Sequence, residues 1–227
     1  MSKLAIILIG PQGSGKGTQA AILRQKHHLS YISGGNIARD LGKLQNSLGA
    51  NVRQLMNDGQ LLPDETLNSG ASDAIKRAND RSLLFDGYPR TFGQAEFVSD
   101  LLSRLGYHII VIELTLDDAT SVERIKSRFV CSKCGSIIYA DHRHFITAIQ
   151  RKRHEQHLCV HCGGILIKRA DDTESAVRQR LKLYHHETKP VIDYFKHHNL
   201  LHSVDARPNI ETVNENVETV LDEQIKQ

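Results

Sequence analysis

The sequence feature that most constrains the fold is the glycine-rich stretch GPQGSGKGT at residues 10–18. An apolar run at residues 4–9 precedes it, and residues that favour a helix follow it. Its glycines allow backbone conformations that turn successive N–H groups towards phosphate oxygens, and the following helix adds its positive N-terminal end. Lys16 stands where the lysine of a phosphate-binding loop reaches the outer phosphates. The stretch therefore predicts a phosphate-binding loop between a strand and a helix.

One position departs from the usual pattern of such a loop. Gly17 follows the lysine, where the pattern has a serine or threonine, and the hydroxyl comes one residue later at Thr18. The alternative, a glycine-rich turn that binds nothing, does not call for the lysine and the helix together. We therefore keep the prediction of phosphate binding.

Length and composition exclude several classes of protein. The chain has 227 residues, of which 40% are hydrophobic and 24% are charged, as in ordinary globular proteins, so a fibrous or disordered chain is excluded. The formal net charge of +3 is too small to indicate a nucleic-acid partner. The apolar runs are all far shorter than the roughly 20 residues of a membrane span. We expect a monomeric cytoplasmic protein that binds no membrane.

The chain alternates between predicted strands and predicted helices. Continuous apolar runs are typical of parallel strands that are covered on both faces. We therefore predict a three-layer α/β/α fold of the P-loop NTPase type, in which helices cover both faces of a five-stranded parallel sheet. The predicted strands lie at residues 4–9, 31–33, 83–85, 108–116 and 200–204.

Ligands of such sheets bind beyond the carboxyl ends of the strands. The phosphate loop, Asp86 and the stretch after Ser33 all follow predicted strands. We therefore expect these three parts of the chain to share one cleft.

Helix boundaries are predicted from capping residues and apolar spacing. We expect Asn36 and Asp64 to cap the helices that follow them. A helix that starts at Asp117 or Asp118 is expected to run through Arg124 and Arg128. The helix that ends at residue 105 is expected to bury one face, formed by Phe97, Val98, Leu101, Leu102 and Leu105.

Arginines recur where the chain is expected to return to the cleft. A guanidinium group has forked donors that match phosphate oxygens, although any single arginine could instead lie on a solvated helix face. Transfer of a phosphoryl group between two nucleotides would gather several phosphates and would need many cations. The arginines concerned are Arg39, Arg90, Arg124, Arg128, Arg169, Arg178 and Arg180.

Four stretches resemble adenylate kinases, in chain order and over nearly the whole sequence. They are GPQGSGKGTQ at residues 10–19, ISGGNIAR at 32–39, DGYPRT at 86–91 with Gln94, and RADD at 169–172 with RQR at 178–180. The DGYPR stretch is specific to nucleoside monophosphate kinases. The resemblance implies a Mg²⁺-dependent, reversible transfer of a phosphoryl group from ATP to AMP that gives two ADP.

The resemblance also implies the residues of two nucleotide sites. The ATP site would contain Gly13, Ser14, Gly15, Lys16, Gly17, Thr18 and Arg124. The AMP site would contain Gly34, Arg39, Gly87, Arg90, Gln94, Arg169 and Arg180. The residues implied to act on the transferring group are Lys16, Arg90, Arg128, Arg169 and Arg180. Asp86 would order water around Mg²⁺, and Asp171 and Asp172 would orient arginines.

The resemblance divides the chain into three parts of one kinase domain that spans residues 1–227. The core would comprise residues 1–32, 63–129 and 169–227. A monophosphate-binding flap would span residues 33–62 and a lid residues 130–168. No general base is required, because a monophosphate oxygen is already anionic near neutral pH and catalysis rests on positioning and on cationic charge.

Two positions depart from the adenylate kinase pattern. Gly34 stands where these enzymes usually have a threonine, and Asn36 replaces the usual aspartate. Kinases of pyrimidine monophosphates also lack that threonine, whereas Gln94 favours adenine. A CMP or UMP kinase, or an AMP kinase that uses GTP, is therefore the alternative function.

The four cysteines form two C-x-x-C-G motifs, whose thiolates can hold one tetrahedral ion. Four thiolates leave no open coordination position, so we predict a structural Zn²⁺ in the lid, and zinc-bearing lids occur in the family that the chain resembles. Iron or a metal-free thiol or disulfide state is the alternative. The predicted ligands are Cys131, Cys134, Cys159 and Cys162.

The segment between the two motifs is longer than is usual for the family, and it is rich in histidine and in basic residues. We expect a solvated basic loop there. An anion-binding or nucleic-acid-binding surface and an auxiliary metal site are the alternatives. A non-enzymatic module that binds nucleic acid through its cysteine motifs would need base-stacking aromatic residues, but only 5% of the residues are aromatic.

Overall fold

The computed structural model describes residues 3–58, 60–134, 137–139, 157–168 and 172–226. Two compact units make up the chain: Met1–Leu116 with Lys182–Gln227, and Asp117–Leu181. The predicted site residue Arg169, its neighbour Asp171 and residues 142–154 of the basic segment lie outside the described residues.

The strands and helices alternate through most of the chain. In chain order the strands are β1 (Lys3–Ile9), β2 (Ser30–Ser33), β3 (Leu83–Asp86), β4 (Tyr107–Thr115), β5 (Arg128–Cys131), β6 (Ile137–Tyr139), β7 (Leu166–Ile167) and β8 (Leu201–Asp205). The helices are α1 (Lys16–His27), α2 (Gly34–Gly42), α3 (Ser47–Asn57), α4 (Asp64–Arg77), α5 (Phe92–Arg104), α6 (Asp118–Lys126), α7 (Glu174–Leu183), α8 (Lys189–His197) and α9 (Ile210–Ile225). A π-helical turn, Tyr184–Thr188, joins α7 to α8.

The first unit is built on a five-stranded parallel sheet with the strand order β2-β3-β1-β4-β8. Successive side chains of β1 point to opposite faces, so Ile7 belongs to one buried apolar cluster and Ile6 and Leu8 belong to another. Both clusters contain helix residues, for example Val98 of α5 in the first and Leu23 of α1 in the second. The predicted fold class is confirmed.

Two helices begin differently from what the sequence predicts. The N-cap of α2 is Ser33, whose hydroxyl accepts from the backbone N–H of Asn36, so the prediction that Asn36 is the cap is wrong. Asp64 is the first residue of α4 and follows Pro63 at the cap position. Its carboxylate bonds to Thr91 and to Gln94, which compete successfully with the backbone of its own helix.

The core face of α5 is narrower than predicted. Val98 and Leu102 are buried together with Ala95, at the three-residue and four-residue spacing of one helix stripe. Phe97 lies off this stripe, and Leu105 comes after the last helical residue, Arg104. They are 37% and 40% exposed, so their assignment to the core is wrong.

The second unit contains a three-stranded antiparallel sheet with the order β6-β5-β7. Arg128 begins β5, and α6 ends at Lys126, so the predicted continuation of this helix through Arg128 is wrong. Ser127 is the C-cap residue, and its hydroxyl donates to the carbonyl of Arg124. The helices α6 and α7 pack through Val122, Ile125, Val177 and Leu181.

A membrane span would need a helix that is both long and strongly apolar. Among the described parts of the chain, no helix meets these two conditions.

The packing of α5 can be tested by shortening one leucine at a time. We expect Leu102→Ala to lower the free energy of unfolding by about 2–5 kcal/mol, because it leaves a cavity in the core. Leu105→Ala, at the exposed residue directly after the same helix, is the control and should cost about 1 kcal/mol or less. Urea titration followed by circular dichroism measures both values, and equal losses would contradict the assignment of the core face.

Candidate active site

The phosphate loop connects β1 to α1 as predicted. Gly15 adopts a left-handed conformation with φ of 86° directly before the helix, which is a conformation that residues with a Cβ rarely adopt. At Gly10 a Cβ would lie only 2.6 Å from the carbonyl oxygen of Leu114, so the loop passes close to β4. Gly15 is therefore required by its backbone conformation, and Gly10 is required because a side chain there would clash with β4.

Lys16 is the first residue of α1, and its side chain folds back onto the loop that precedes the helix. Its Nζ donates to the carbonyl oxygens of Gly10 and Pro11 at 2.6 Å and 2.7 Å. In α1, all of whose residues are described, the first turn carries no acidic side chain. The ammonium group and the positive end of the helix dipole are thus both present where an anionic phosphate would bind.

Asp86 ends β3 beside the phosphate loop. The parallel register places it opposite Leu8 of β1 and Ser33 of β2. A Cβ built on Gly17 would lie 4.0 Å from Oδ2 of Asp86. A half-buried carboxylate therefore faces the start of α1, as a group that orders water around Mg²⁺ would need to do.

Tyr31 is a partner of Asp86 that the sequence analysis missed. Its hydroxyl donates to Oδ2 of Asp86 at 2.7 Å. Burial raises the pKa of Tyr31 to about 12, and the negative charge of Asp86 adds to this rise. The phenol therefore remains a hydrogen-bond donor throughout the neutral pH range. The available signal in the sequence was its place in the predicted strand at residues 31–33.

Arg90 lies in the loop between β3 and α5. Its Nε donates to the carbonyl oxygen of Gly87 at 2.8 Å, and its backbone N–H donates to Oε1 of Gln94 at 2.8 Å. Gly87 has a φ of 66°, and a Cβ there would lie 2.8 Å from the guanidinium. The exposed guanidinium is thus held against the backbone of its own loop.

Gln94 belongs to a buried polar network. Its side chain is 0% exposed, and its Nε2 donates to Oδ1 of Asp64 at 2.8 Å while its Oε1 accepts from Arg90. The hydroxyl of Thr91 also donates to Asp64. A donor on one side and an acceptor on the other fix the orientation of the Gln94 amide. The sequence signal for Asp64 was present, but it predicted a helix cap.

The start of α2 approaches the loop after β3 closely. A Cβ built on Gly34 would lie 2.5 Å from the carbonyl oxygen of Gly87, so this backbone leaves no room for a threonine at position 34. Arg39, one turn further along α2, is exposed, and its Nη2 donates to Oδ1 of Asn36. The structure therefore brings Gly34, Gly87 and Arg90 close together at the carboxyl edge of the sheet.

The second unit holds a separate group of predicted site residues. Arg128 forms a two-pronged ion pair with Asp172, in which Nε lies 2.9 Å from Oδ2 and Nη2 lies 2.5 Å from Oδ1. The two side chains are only 11% and 3% exposed. Arg124 lies on α6 and Arg180 on α7, the two helices that pack together in this unit.

The four cysteines also meet within the second unit. Their Sγ atoms all lie within 4.8 Å of one another, and the Cys131–Cys162 and Cys134–Cys159 pairs are 3.5 Å and 3.7 Å apart. Tetrahedral zinc with bonds of about 2.3 Å would separate its thiolates by roughly 3.8 Å. The donor set and its spacing therefore fit a closed tetrahedral metal site.

Backbone groups support one of these thiolates. The N–H of Cys134 holds the pKa of the Cys131 thiol below its usual value, and the N–H of Lys133 adds to this effect. A Cβ on Gly164 would lie 2.9 Å from the Cys131 sulfur, so the backbone directly after the second C-x-x-C-G motif passes close to this thiol. The two N–H donors favour the deprotonated form that binds metal, and the missing side chain of Gly164 leaves room for the sulfur.

The buried network around Asp64 can be tested without an activity assay. We expect Asp64→Asn to lower the free energy of unfolding by about 1–3 kcal/mol. The new amide NH₂ replaces a carboxylate oxygen and cannot accept a hydrogen bond from Thr91 or Gln94. Asp73→Asn, an exposed position on the same helix, is the control and should change stability by about 0.5 kcal/mol or less. If both variants unfold at the same urea concentration as the parent protein, the network carries no stability.

Comparisons with known proteins show the family of the chain. A family model described as adenylate kinase matches residues 8–200. An adenylate kinase of Fervidobacterium nodosum is 36% identical over 92% of this chain and 93% of its own length. The adenylate kinase of Archaeoglobus fulgidus is 33% identical over 96% and 97%, and that of Caldicellulosiruptor bescii is 36% identical over 87% and 89%. The resemblance drawn from the four sequence stretches is confirmed, and the chain belongs to the adenylate kinase family.

Proposed function

We propose that this protein transfers a phosphoryl group from ATP to AMP to give two ADP, which is the reaction of its family. The observation that carries the proposal is the carboxyl edge of the parallel sheet. The phosphate loop with Lys16, the carboxylate Asp86 and the guanidinium of Arg90 all follow strands that end there. A cationic loop and an acidic group at one edge suit a magnesium-bound polyphosphate beside a second phosphate.

ATP would bind at the phosphate loop. The N–H groups of the loop and of the first turn of α1 would donate to the phosphates, and Lys16 would exchange its carbonyl partners for phosphate oxygens. Arg124 would contact the same nucleotide. The residues that we assign to this site are Gly13, Ser14, Gly15, Lys16, Gly17, Thr18 and Arg124.

AMP would bind next to the loop that follows β3. Arg39 and Arg90 would hold its phosphate, since both guanidinium groups are exposed, and Gln94 would lie at the adenine edge. The absence of a hydroxyl at Gly34 leaves the base with one contact fewer than in relatives that carry a threonine. The residues that we assign to this site are Gly34, Arg39, Gly87, Arg90, Gln94, Arg169 and Arg180.

Asp86 is the group that would hold water molecules of a magnesium ion, because its carboxylate faces the start of α1. When bound with ATP, Mg²⁺ neutralises phosphate charge. Lys16 and the arginines Arg90, Arg128, Arg169 and Arg180 would stabilise the charge on the transferring group. A phosphate oxygen of AMP would attack directly, since its second pKa is about 6 and no base is needed.

A flap at residues 33–62 and a lid at residues 130–168 would exclude water, which would otherwise accept the phosphoryl group. Within the lid, Zn²⁺ is the ion that fits the four sulfurs of Cys131, Cys134, Cys159 and Cys162. Because these thiolates fill its coordination, the zinc would be structural and would hold the two C-x-x-C-G motifs together. The cytoplasmic location and the monomeric state stay predictions.

An assay of ADP formation tests the proposed reaction. With Mg²⁺ and ATP, we expect turnover with AMP to exceed turnover with CMP, UMP or GMP, and ATP to be a better donor than GTP. Lys16→Met should lower kcat by at least about 100-fold while circular dichroism remains unchanged, because a cation on the transferring phosphate is lost.

The control for this variant is Lys3→Met, at the opposite end of β1, where the lysine pairs with Asp80. It should keep its activity within about twofold. The proposal is wrong if the protein forms no ADP from ATP and AMP, and the role of Lys16 is wrong if Lys16→Met retains full activity.

Metal analysis tests the zinc site. We expect one zinc ion per chain in the purified protein and a loss of most of it in Cys131→Ser, with a lower melting temperature of the second unit. His161→Ala is the control, because His161 lies in the second C-x-x-C-G motif and is exposed. This variant should keep its zinc. Unchanged zinc content in Cys131→Ser would exclude that sulfur as a ligand.

A further inference from the structure

The hydrogen bond between Tyr31 and Asp86 involves one particular oxygen. The phenol donates to Oδ2 of Asp86 at 2.7 Å. The same Oδ2 is the atom that a Cβ on Gly17 would approach, at 4.0 Å. Tyr31 therefore contacts the carboxylate oxygen that lies closest to the start of α1 and the phosphate loop.

The ring of Tyr31 is held on two sides. It packs against the buried cluster that contains Leu23 of α1 and Leu84 of β3. The guanidinium carbon of Arg24 lies 5.7 Å from the centre of the ring, so a cation of α1 covers its face. A ring that is fixed by the strand and by the helix has little freedom to move its hydroxyl.

We propose that Tyr31 is a positioning residue, which sets the direction of the Asp86 carboxylate towards the magnesium ion of bound ATP. The proposal rests on the proposed function, since it concerns the same nucleotide site. A carboxylate that already points in the required direction does not have to reorganise when the metal binds. In this role Tyr31 would act through Asp86.

The variant Tyr31→Phe removes the hydroxyl and keeps the ring beneath Arg24. We expect the Mg²⁺ concentration that gives half-maximal rate to rise by about tenfold, which is the lower end of the effect of removing such a supporting partner. At saturating Mg²⁺ the KM for AMP should stay within about twofold, because the acceptor site lies at Arg90 and Gln94.

A second readout does not depend on turnover. Isothermal titration calorimetry compares the binding of ATP in the presence and absence of Mg²⁺. In the parent protein Mg²⁺ should strengthen the binding of ATP, and in Tyr31→Phe this gain should shrink by about tenfold. The affinity for ATP alone should be the same in both proteins.

Tyr107→Phe is the matched control. Tyr107 also lies in the parallel sheet, but at the amino-terminal end of β4, where its hydroxyl donates to the carbonyl of Arg81 at 3.2 Å. Its ring is likewise covered by a cation, since Nζ of Lys3 lies 5.0 Å from the ring centre. Tyr107→Phe also removes a tyrosine hydroxyl from this sheet, but that hydroxyl is not bonded to Asp86. The Mg²⁺ dependence of this control variant should not change.

The inference is overturned if Tyr31→Phe is less stable but shows the same Mg²⁺ dependence as the parent protein in both measurements. Tyr31 would then only support the sheet. If the parent protein forms no ADP, the proposed function fails, and the calorimetry with ATP and Mg²⁺ still decides whether Tyr31 acts on the metal.

Discussion

The parallel register between three neighbouring strands is the constraint on which the rest of the structure depends. Because Asp86 pairs with Leu8 of β1 and with Ser33 of β2, the residues that follow these strands leave the sheet at one edge. The phosphate loop follows β1, α2 follows β2 and the loop with Arg90 follows β3. A slip of one residue would exchange the two faces of β1, so that Ile6 and Ile7 would each lie in the cluster that now holds the other.

Much of this arrangement could be predicted from the sequence, because its signals are local. An apolar run followed by the phosphate loop fixes β1 and α1, and two pairs of cysteines predict a metal site. The role of Asp64 could not be predicted, since its partners Thr91 and Gln94 come from a helix that is distant along the chain. A carboxylate before a helix gives the same sequence pattern whether it caps that helix or binds another one.

Burial explains why the polar network of Gln94, Asp64 and Arg90 fixes the Gln94 side chain. The side chain of Gln94 is inaccessible to solvent, so each of its polar atoms needs a protein partner or a ligand. Arg90 and Asp64 satisfy one acceptor and one donor of the amide. The orientation of this side chain is therefore determined by its protein partners before any nucleotide arrives.

The close approach of Gly34 to the carbonyl of Gly87 has an evolutionary consequence. A threonine at position 34 would clash with the present backbone, so Gly34→Thr is not accommodated as a single substitution. The loop at residues 87–88 would have to shift at the same time, which makes these positions epistatic. Attempts to convert the acceptor preference of this enzyme should therefore use libraries that vary both segments together.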